Sequence, residues 1–590
     1  MHSTAASSSP TPVATHSSPS IVQQIVDDPG YPGADEAHRP DLVRHERVAP
    51  LRQEDLERFW LLEYRFPEGV TPLGLSYLDD GFAWATQQAA DRVPLPTSNG
   101  LTVRLAGTHP YFTELEQASA READRRAEHL RTNLPAFLDG FPQLWRAHVD
   151  WLDTEARRFE RHDPADDTDA ALLARLRDAR VFQRRAWEIH FELMYPLILN
   201  QAGFYGLCAE LGIGRTEVPR LLQGRESTIT ACDRALCGLA RALRGTALER
   251  LFVDHPAEDI AAALEHADAR EWKERFNAFL DEWGWRTDSM ADPRLPSWRE
   301  SPVTPLGNLR TFLLEGSDLH DFNAALSEAR HERGEALEAI RGRLTRAERR
   351  AFDDGLATCE RANFVWWNED HNHYIDLRAT IPLRRAALEI ARRRHAGNVD
   401  DVFFLFLGEL DAIAGGEADF ERHGTLIAAR RAFHAGWLQR RAQMPKYLGA
   451  APDSISDPIL IELDGVTDEF LAAVRAGVSG ADTLHGLGAA PGKGRGRARV
   501  LHSPQELHAV QAGEVLVCEG TSPSWTPAFT RIAACVCDQG GTLAHASIVS
   551  REYRVPCVVG TAVATQRIRD GDYLEVDGDT GTVIILAEGM

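Results

Sequence analysis

Asp538-Gln-Gly-Gly-Thr-Leu-Ala-His-Ala-Ser-Ile-Val-Ser-Arg-Glu-Tyr-Arg-Val-Pro-Cys-Val-Val-Gly560 is the stretch whose reading decides the fold. Before it, Arg531-Ile-Ala-Ala-Cys-Val-Cys537 is a short apolar run with the residue types of a buried strand. After Gly540 and Gly541, the segment from Ala546 to Tyr553 changes to helical spacing of its apolar residues. The pattern predicts strand, glycine turn, helix, with His545 at or just inside the helix N-terminus. Free backbone N–H groups and the positive end of the helix dipole favour an anion there. A histidine so placed holds a proton poorly. It is either a cap without chemistry or a neutral nucleophile that carries a phosphoryl group and splits one transfer into two easier ones.

Working outward, the surrounding residues resemble the mobile, phosphohistidine-bearing domain of the phosphoenolpyruvate-utilising enzymes. The resemblance rests on Gly540-Gly541-Thr542-Leu543-Ala544-His545-Ala546, then Arg551-Glu552-Tyr553, Val555-Pro556 and Val558-Val559-Gly560-Thr561. Upstream it includes Gly520-Thr-Ser-Pro-Ser-Trp-Thr-Pro527 and the domain-opening Leu487-Gly-Ala-Ala-Pro-Gly492. It implies that His545 is the phosphorylated residue, that Gly540, Gly541 and Thr542 support it, and that residues 485–590 form a compact swivelling β/α domain.

The 590 residues, 43% of them hydrophobic, suffice for several domains. A net charge of −23 argues against a nucleic-acid partner. The eight cysteines (Cys208, Cys232, Cys237, Cys359, Cys518, Cys535, Cys537 and Cys557) sit mostly in apolar runs, as reduced buried thiols do. Cys535 and Cys537 alternate on one strand face, but no second pair follows at metal-binding spacing, so no metal site is assigned to them. Residues 1–45, rich in Ser, Thr, Pro and Ala, are expected to form a disordered tail. No signal peptide or long apolar run is found, and the expectation is a cytoplasmic protein without a membrane partner.

From 46 to 445 the periodicity is predominantly helical, for example at Leu172 to Tyr195, Leu236 to Phe252, Ala257 to Glu282 and Arg378 to Arg394. Residues 446–484 are expected to be a linker. Several short motifs resemble the central domain of rifampicin phosphotransferases: Arg65-Phe-Pro-Glu-Gly-Val-Thr-Pro-Leu73, Leu221-Leu-Gln-Gly-Arg-Glu-Ser-Thr228, Trp283-Gly-Trp-Arg286, Pro296-Ser-Trp-Arg-Glu300, and Asp400-Asp-Val-Phe-Phe-Leu405 with Glu409-Leu410. These 590 residues are expected to leave no room for the ATP-grasp domain of that family. No Walker motif replaces it, because Gly488-Ala-Ala-Pro-Gly492-Lys493-Gly494 has the wrong spacing and no following Ser or Thr. A phosphohistidine carrier joined to an acceptor domain resembles the transfer subunit of phenylphosphate synthase and of 4-methylbenzyl phosphate synthase type enzymes. That resemblance implies a dikinase-type reaction, ATP going to AMP and phosphate, with ATP and Mg2+ bound on a separate ATP-grasp subunit.

The acceptor side is expected at Asn363-Phe-Val-Trp-Trp-Asn-Glu-Asp-His-Asn-His-Tyr-Ile-Asp-Leu-Arg378. On a regular helix Glu369 and His373 share a face, with Asp370 close to His373 and Tyr374. Asp370, His371 or His373 is a candidate base for an attacking hydroxyl. Trp366 and Trp367 would wall an aromatic pocket, and Arg378 or Arg286 would steady phosphoryl oxygens. The same acids and histidines could hold a divalent ion, which spacing does not separate from acid–base work. His190, in Trp187-Glu-Ile-His-Phe-Glu192, is a further pocket candidate.

The expected architecture is multidomain α + α/β, a large helical substrate domain followed by the swivelling domain. The expected function is phosphoryl transfer through His545 to a phenolic or aromatic hydroxyl. The alternatives are transfer to an antibiotic or other hydroxyl compound, or a non-catalytic phosphohistidine regulator, which a solvent-facing 363–378 helix without a pocket would favour.

Overall fold

The computed structural model describes residues 20–34, 48–96, 98–116, 119–215, 217–288, 290, 292–314, 321–455, 460–476 and 482–586. It is a mainly helical body followed by an α/β domain.

The N-terminal segment is partly built into the helical body. In α1 (Ile21–Val26), Ser20 caps the first turn and Ile25 and Val26 are buried among Leu51, Trp60, Leu62, Trp437 and Leu448. Trp437 donates to Asp28 at 2.9 Å, Arg430 to the Pro32 carbonyl at 2.9 Å, and the Tyr31 hydroxyl to the Val70 carbonyl at 2.7 Å. The expected disordered tail is thus corrected for residues 20–34, while 1–19 and 35–47 lie outside the described residues. A six-residue helix cannot stand alone, so it is the groove that stabilises it, a contact invisible to local composition.

A sheet that helical periodicity did not reveal forms one wall of the body. β1 (Val48–Pro50), β2 (Phe59–Leu62), β3 (Ser98–Ala106), β4 (His109–Glu116) and β5 (Tyr447–Gly449) run in the order β1-β3-β4-β2-β5. Only β1 and β3 are parallel. The β3–β4 turn needs Gly107, which has φ +62° and whose added Cβ would lie 2.0 Å from the Trp437 ring.

Residues 78–92 pack on β3, and against them lies α3 (Asp169–Glu210), paired with α2 (Ala120–Arg161); these two 42-residue helices are capped by Thr168 and Ser119. On α3, Trp187, His190, Phe191, Met194 and Tyr195 recur at helical spacing and make a continuous buried stripe. The helical expectation for 236–252 breaks at Gly245 (φ +73°), which ends α4 (Thr228–Leu243) before a separate short helix. Further on, α5 (Phe364–His371) passes into a π-turn over Asn372–Asp376, closed by the Leu377 amide donating to the Asn372 carbonyl at 3.1 Å. Later, α6 (Phe420–Leu438) carries Arg430 and Trp437 back onto the N-terminal segment.

Within the expected 446–484 linker the described residues are structured and packed. β5 closes the first sheet, and α7 (Asp468–Ala476) buries Phe470, Leu471 and Val474. Between them, residues 460–465 lie along the glycine turn of the C-terminal domain. The amides of Gly540, Gly541 and Leu543 donate to the carbonyls of Asp464, Leu463 and Glu462 at 2.9, 2.9 and 2.8 Å.

The C-terminal domain is an eight-stranded sheet of β6 (Thr483–His485), β7 (Leu487–Ala490), β8 (Lys493–Val500), β9 (Val515–Cys518), β10 (Ala534–Cys537), β11 (Cys557–Val559), β12 (Tyr573–Asp577) and β13 (Thr582–Leu586). Its order is β6-β13-β12-β8-β9-β10-β11-β7, parallel from β8 to β11. Across one face lies α8 (His545–Tyr553), over the buried thiols of Cys518, Cys535, Cys537 and Cys557. No helix among the described residues is long and apolar enough to cross a membrane.

Candidate functional site

His545 is the first residue of α8 and is 8% exposed. Its Nδ1 lies 2.8 Å from Thr521 Oγ1, while Nε2 is buried and has no hydrogen-bond partner. Burial, reinforced by the Arg286 charge, pushes the imidazole down to about 3. The ring is therefore neutral at ordinary pH. With the Nδ1 proton donated to Thr521, the lone pair stands on Nε2, which is what a nucleophile needs.

The turn before α8 depends on both glycines. Gly540 has φ +102°, and a Cβ on Gly541 would lie 2.2 Å from the Glu462 carbonyl oxygen. Thr542 neither caps α8 nor reaches His545, because its hydroxyl donates to the Glu462 carboxylate. Thr521, not singled out in the sequence although it stands in the quoted 520–527 motif, takes the supporting position.

His545 lines a cavity between the two bodies. Most of its wall is apolar: Phe82 and Phe112 from the sheet side, Trp187, Phe191 and Met194 from α3, and Phe364 from α5. Its polar end is His190, His371 and Asp376, with Asn368 and Asn372 beside them. Glu63 and Arg65 also reach it, and Arg65 Nη1 contacts both carboxylate oxygens at 2.8 and 2.9 Å.

The π-turn explains why Asp376 stands here. Widening one helical turn brings residue i+5 beside residue i, so Asp376 Oδ2 lies 3.4 Å from His371 Nε2. The other carboxylate oxygen is 3.3 Å from His190 Nδ1. Tryptophans hold both rings: His371 stacks on Trp367 with centroids 4.2 Å apart, and His190 packs at a tilt against Trp187 at 4.8 Å. Burial opposes ionisation of Asp376, but the adjacent imidazoles of His371 and His190 win and hold it well below the usual carboxylate range. Burial and the neighbouring His371 push His190 down to about 4, against the pull of Asp376.

The π-turn also redistributes the other expected site residues. Asp370 faces α4, accepting from Thr228 Oγ1 at 2.6 Å, and does not line the cavity. His373 packs against Trp283 at 5.4 Å and Tyr374 at 4.9 Å, and burial pushes it down to about 3. Tyr374 meets Trp145. Glu369, 1% exposed with both carboxylate oxygens unpartnered, faces α4 and α8, and burial with the nearby Glu552, Asp233 and Asp370 charges raises it well above its ordinary range. Trp366 stacks under Arg225 at 4.0 Å in a second interdomain cavity, and Trp367 serves as the floor beneath His371. Arg378 is corrected to a structural role, since Glu160 takes its Nε and Nη2 at 2.6 and 2.9 Å and Asp153 takes Nη1 at 3.1 Å. Arg286 is buried over Trp298, off the cavity wall but near enough to act on His545 by its charge.

The comparisons with known proteins meet at this cavity. Residues 510–581, which hold Thr521 and His545, match the PEP-utilising enzyme, mobile domain. Residues 190–369, which begin at His190, match the rifampicin phosphotransferase fourth domain. Chondramide synthase cmdD of Chondromyces crocatus is 29% identical over 90% of this chain and 14% of its own length. The uncharacterized phosphotransferase YvkC of Bacillus subtilis is 26% identical over 92% of this chain and 64% of its own. A rifampicin phosphotransferase of Streptomyces sviceus is 30% identical over 54% of this chain and 35% of its own. The chain thus spans less than two thirds of the length of each of these relatives.

Proposed function

We propose that this chain carries a phosphoryl group on His545 Nε2 and delivers it to the hydroxyl of a largely apolar, aromatic acceptor held between the two bodies. The observation that carries the reading is the free Nε2 of a neutral, buried His545 opening into a largely apolar cavity that His190, His371 and Asp376 also line. In the delivery step the acceptor oxygen bonds to phosphorus as the P–Nε2 bond breaks, and the hydroxyl proton is drawn off at the His190, His371 and Asp376 end. The Nδ1 proton held toward Thr521 lets the imidazole leave as a neutral base.

Loading is proposed to come from ATP split to AMP and phosphate, with Mg2+, on a separate ATP-grasp subunit. His545 faces the acceptor cavity in the docked arrangement, so loading requires the C-terminal domain to swing away. The finer acceptor class is a phenol, as in phenylphosphate synthase type enzymes. The likeness to rifampicin phosphotransferase favours a second reading, a bulkier antibiotic-like hydroxyl compound. A purely regulatory phosphohistidine protein has no need of the cavity.

The test is intact-mass detection of phosphate after incubation with Mg2+, ATP and a candidate ATP-grasp partner, in wild type and His545→Ala. Label on the wild type alone, dependent on the partner and discharged by members of a phenol and antibiotic panel, is expected. Equal labelling of His545→Ala would sink the proposal, and labelling without the partner would remove the need for a second subunit.

A further inference from the structure

We propose that His190, His371 and Asp376 form a binding site for one divalent transition-metal ion of the zinc class at the polar end of the acceptor cavity. The three side chains come from two different elements, α3 and the α5 π-turn, and offer one ligand atom each, all within 4.8 Å of one another. They are 7%, 1% and 8% exposed.

Three observations point to a cation rather than to a plain polar contact. First, His190 Nδ1, His371 Nε2 and Asp376 Oδ1 are buried, and the His–Asp contacts at 3.3 and 3.4 Å are long and poorly aligned for hydrogen bonds. Second, Nδ1 of His371 lies 3.2 Å from the Trp367 carbonyl, which only accepts, so Nδ1 carries a hydrogen and in the neutral ring Nε2 presents a lone pair. A backbone carbonyl behind one nitrogen and an open lone pair on the other is how metal-ligating histidines are held. Third, that lone pair faces a carboxylate oxygen at 3.4 Å, and the His190 nitrogen faces the other at 3.3 Å. Ligand atoms about 2.0–2.1 Å from a tetrahedral ion stand roughly 3.3–3.4 Å apart, which the two nitrogen–oxygen contacts match, and the three ligand atoms together lie within 4.8 Å.

Two imidazoles and one carboxylate suit a zinc-class ion and leave a fourth position open. That position faces the cavity lined by His545. An ion there would hold an acceptor hydroxyl and make its proton easier to remove, the proton passing to the Asp376 carboxylate oxygen not bound to the ion, a role that rests on the transfer reading. The binding site itself does not rest on it.

The full-length protein is stripped with chelator and titrated with Co2+, followed by its visible absorption, and then loaded with Zn2+ for metal analysis. Wild type is expected to take up one equivalent, and Asp376→Asn and His190→Ala to bind at least about tenfold more weakly. Asp370→Asn, outside the site, and His545→Ala, which removes phosphoryl carriage, are both expected to keep the metal. Failure of the transfer reading therefore leaves this test intact. Should a ligand variant not fold, X-ray absorption of the zinc-loaded wild type decides: two imidazoles with oxygen support the site, whereas sulfur ligands from the buried thiols overturn it. No saturable binding by wild type, or unchanged binding by folded Asp376→Asn, also overturns it.

Discussion

At the residue scale, the chemistry depends on keeping one imidazole neutral. His545 lies at about 3 through burial first and the Arg286 charge second. Loading from a small donor such as phosphoramidate is therefore expected to show no histidine inflection roughly between pH 5 and 7, where an ordinary imidazole charges. An inflection near the ordinary value would mean that His545 is not buried in the reactive state. The linkage has a definite sign: a folded value below the unfolded one means the unfolded chain binds more protons in that window. The stabilisation is full above the unfolded value and is lost as pH falls toward the folded one. Thermal unfolding temperature should drop on acidification, less steeply in His545→Asn. Thr521 is a positioning residue. Thr521→Val removes the group facing Nδ1 at 2.8 Å and is expected to slow loading by about tenfold, the worth of one buried hydrogen bond. The ring's nitrogen NMR shifts should report a changed tautomer mixture; unchanged shifts and rate would make the contact incidental.

At the element scale, two local departures from regular structure build the site. The π-turn after α5 turns Asp376 toward His371, where a continued α-helix would have turned it away. The 460–465 segment straps the glycine turn through three backbone hydrogen bonds, which leaves no room for a side chain at Gly541. Gly541→Ala is expected to cost about 2–4 kcal/mol, because the obstruction is backbone and cannot rotate away. It should also open residues 460–465 to proteases that leave the wild type uncut there. An alanine variant of wild-type stability would show that the strap yields readily.

At the scale of the whole molecule, the described arrangement is the docked one. Arg441 and Lys446 of the helical body pair with Glu519, which burial alone would neutralise but which these two cations bring down to about 2. Ser524 donates to the Asp288 carbonyl, Gln539 to the Leu62 carbonyl at 3.3 Å, and Arg554 meets Glu328 and Glu332 at 3.0 and 3.2 Å. Exposed pairs such as the last contribute little and part easily. Since all eight native cysteines are buried, Arg554→Cys with Glu328→Cys can be bridged selectively by a bismaleimide. The bridged protein is expected to lose loading by the proposed ATP-cleaving partner while still discharging phosphate already on His545. Normal loading of the bridged form would remove the need for a swinging domain.

The strand–glycine turn–helix order around His545 was legible from sequence because it is local: strand residues, two glycines and helical spacing occupy adjacent positions. The same locality exposed the long helices and the polar–aromatic stretch at 363–378. Tertiary structure decided what those side chains face. Regular helical spacing paired Glu369 with His373, but a single π-turn changes the angular relation of every later residue and selects His371 and Asp376 instead. His190 and Thr521 reach the cavity across 181 and 24 residues of chain from His371 and His545 respectively, as the positions show. No periodicity encodes such distances. Arg378 reads the same in sequence whether it binds phosphate or, as here, Glu160. Which partner a charged group finds is fixed by packing between elements, and that is where the sequence stops and the fold begins.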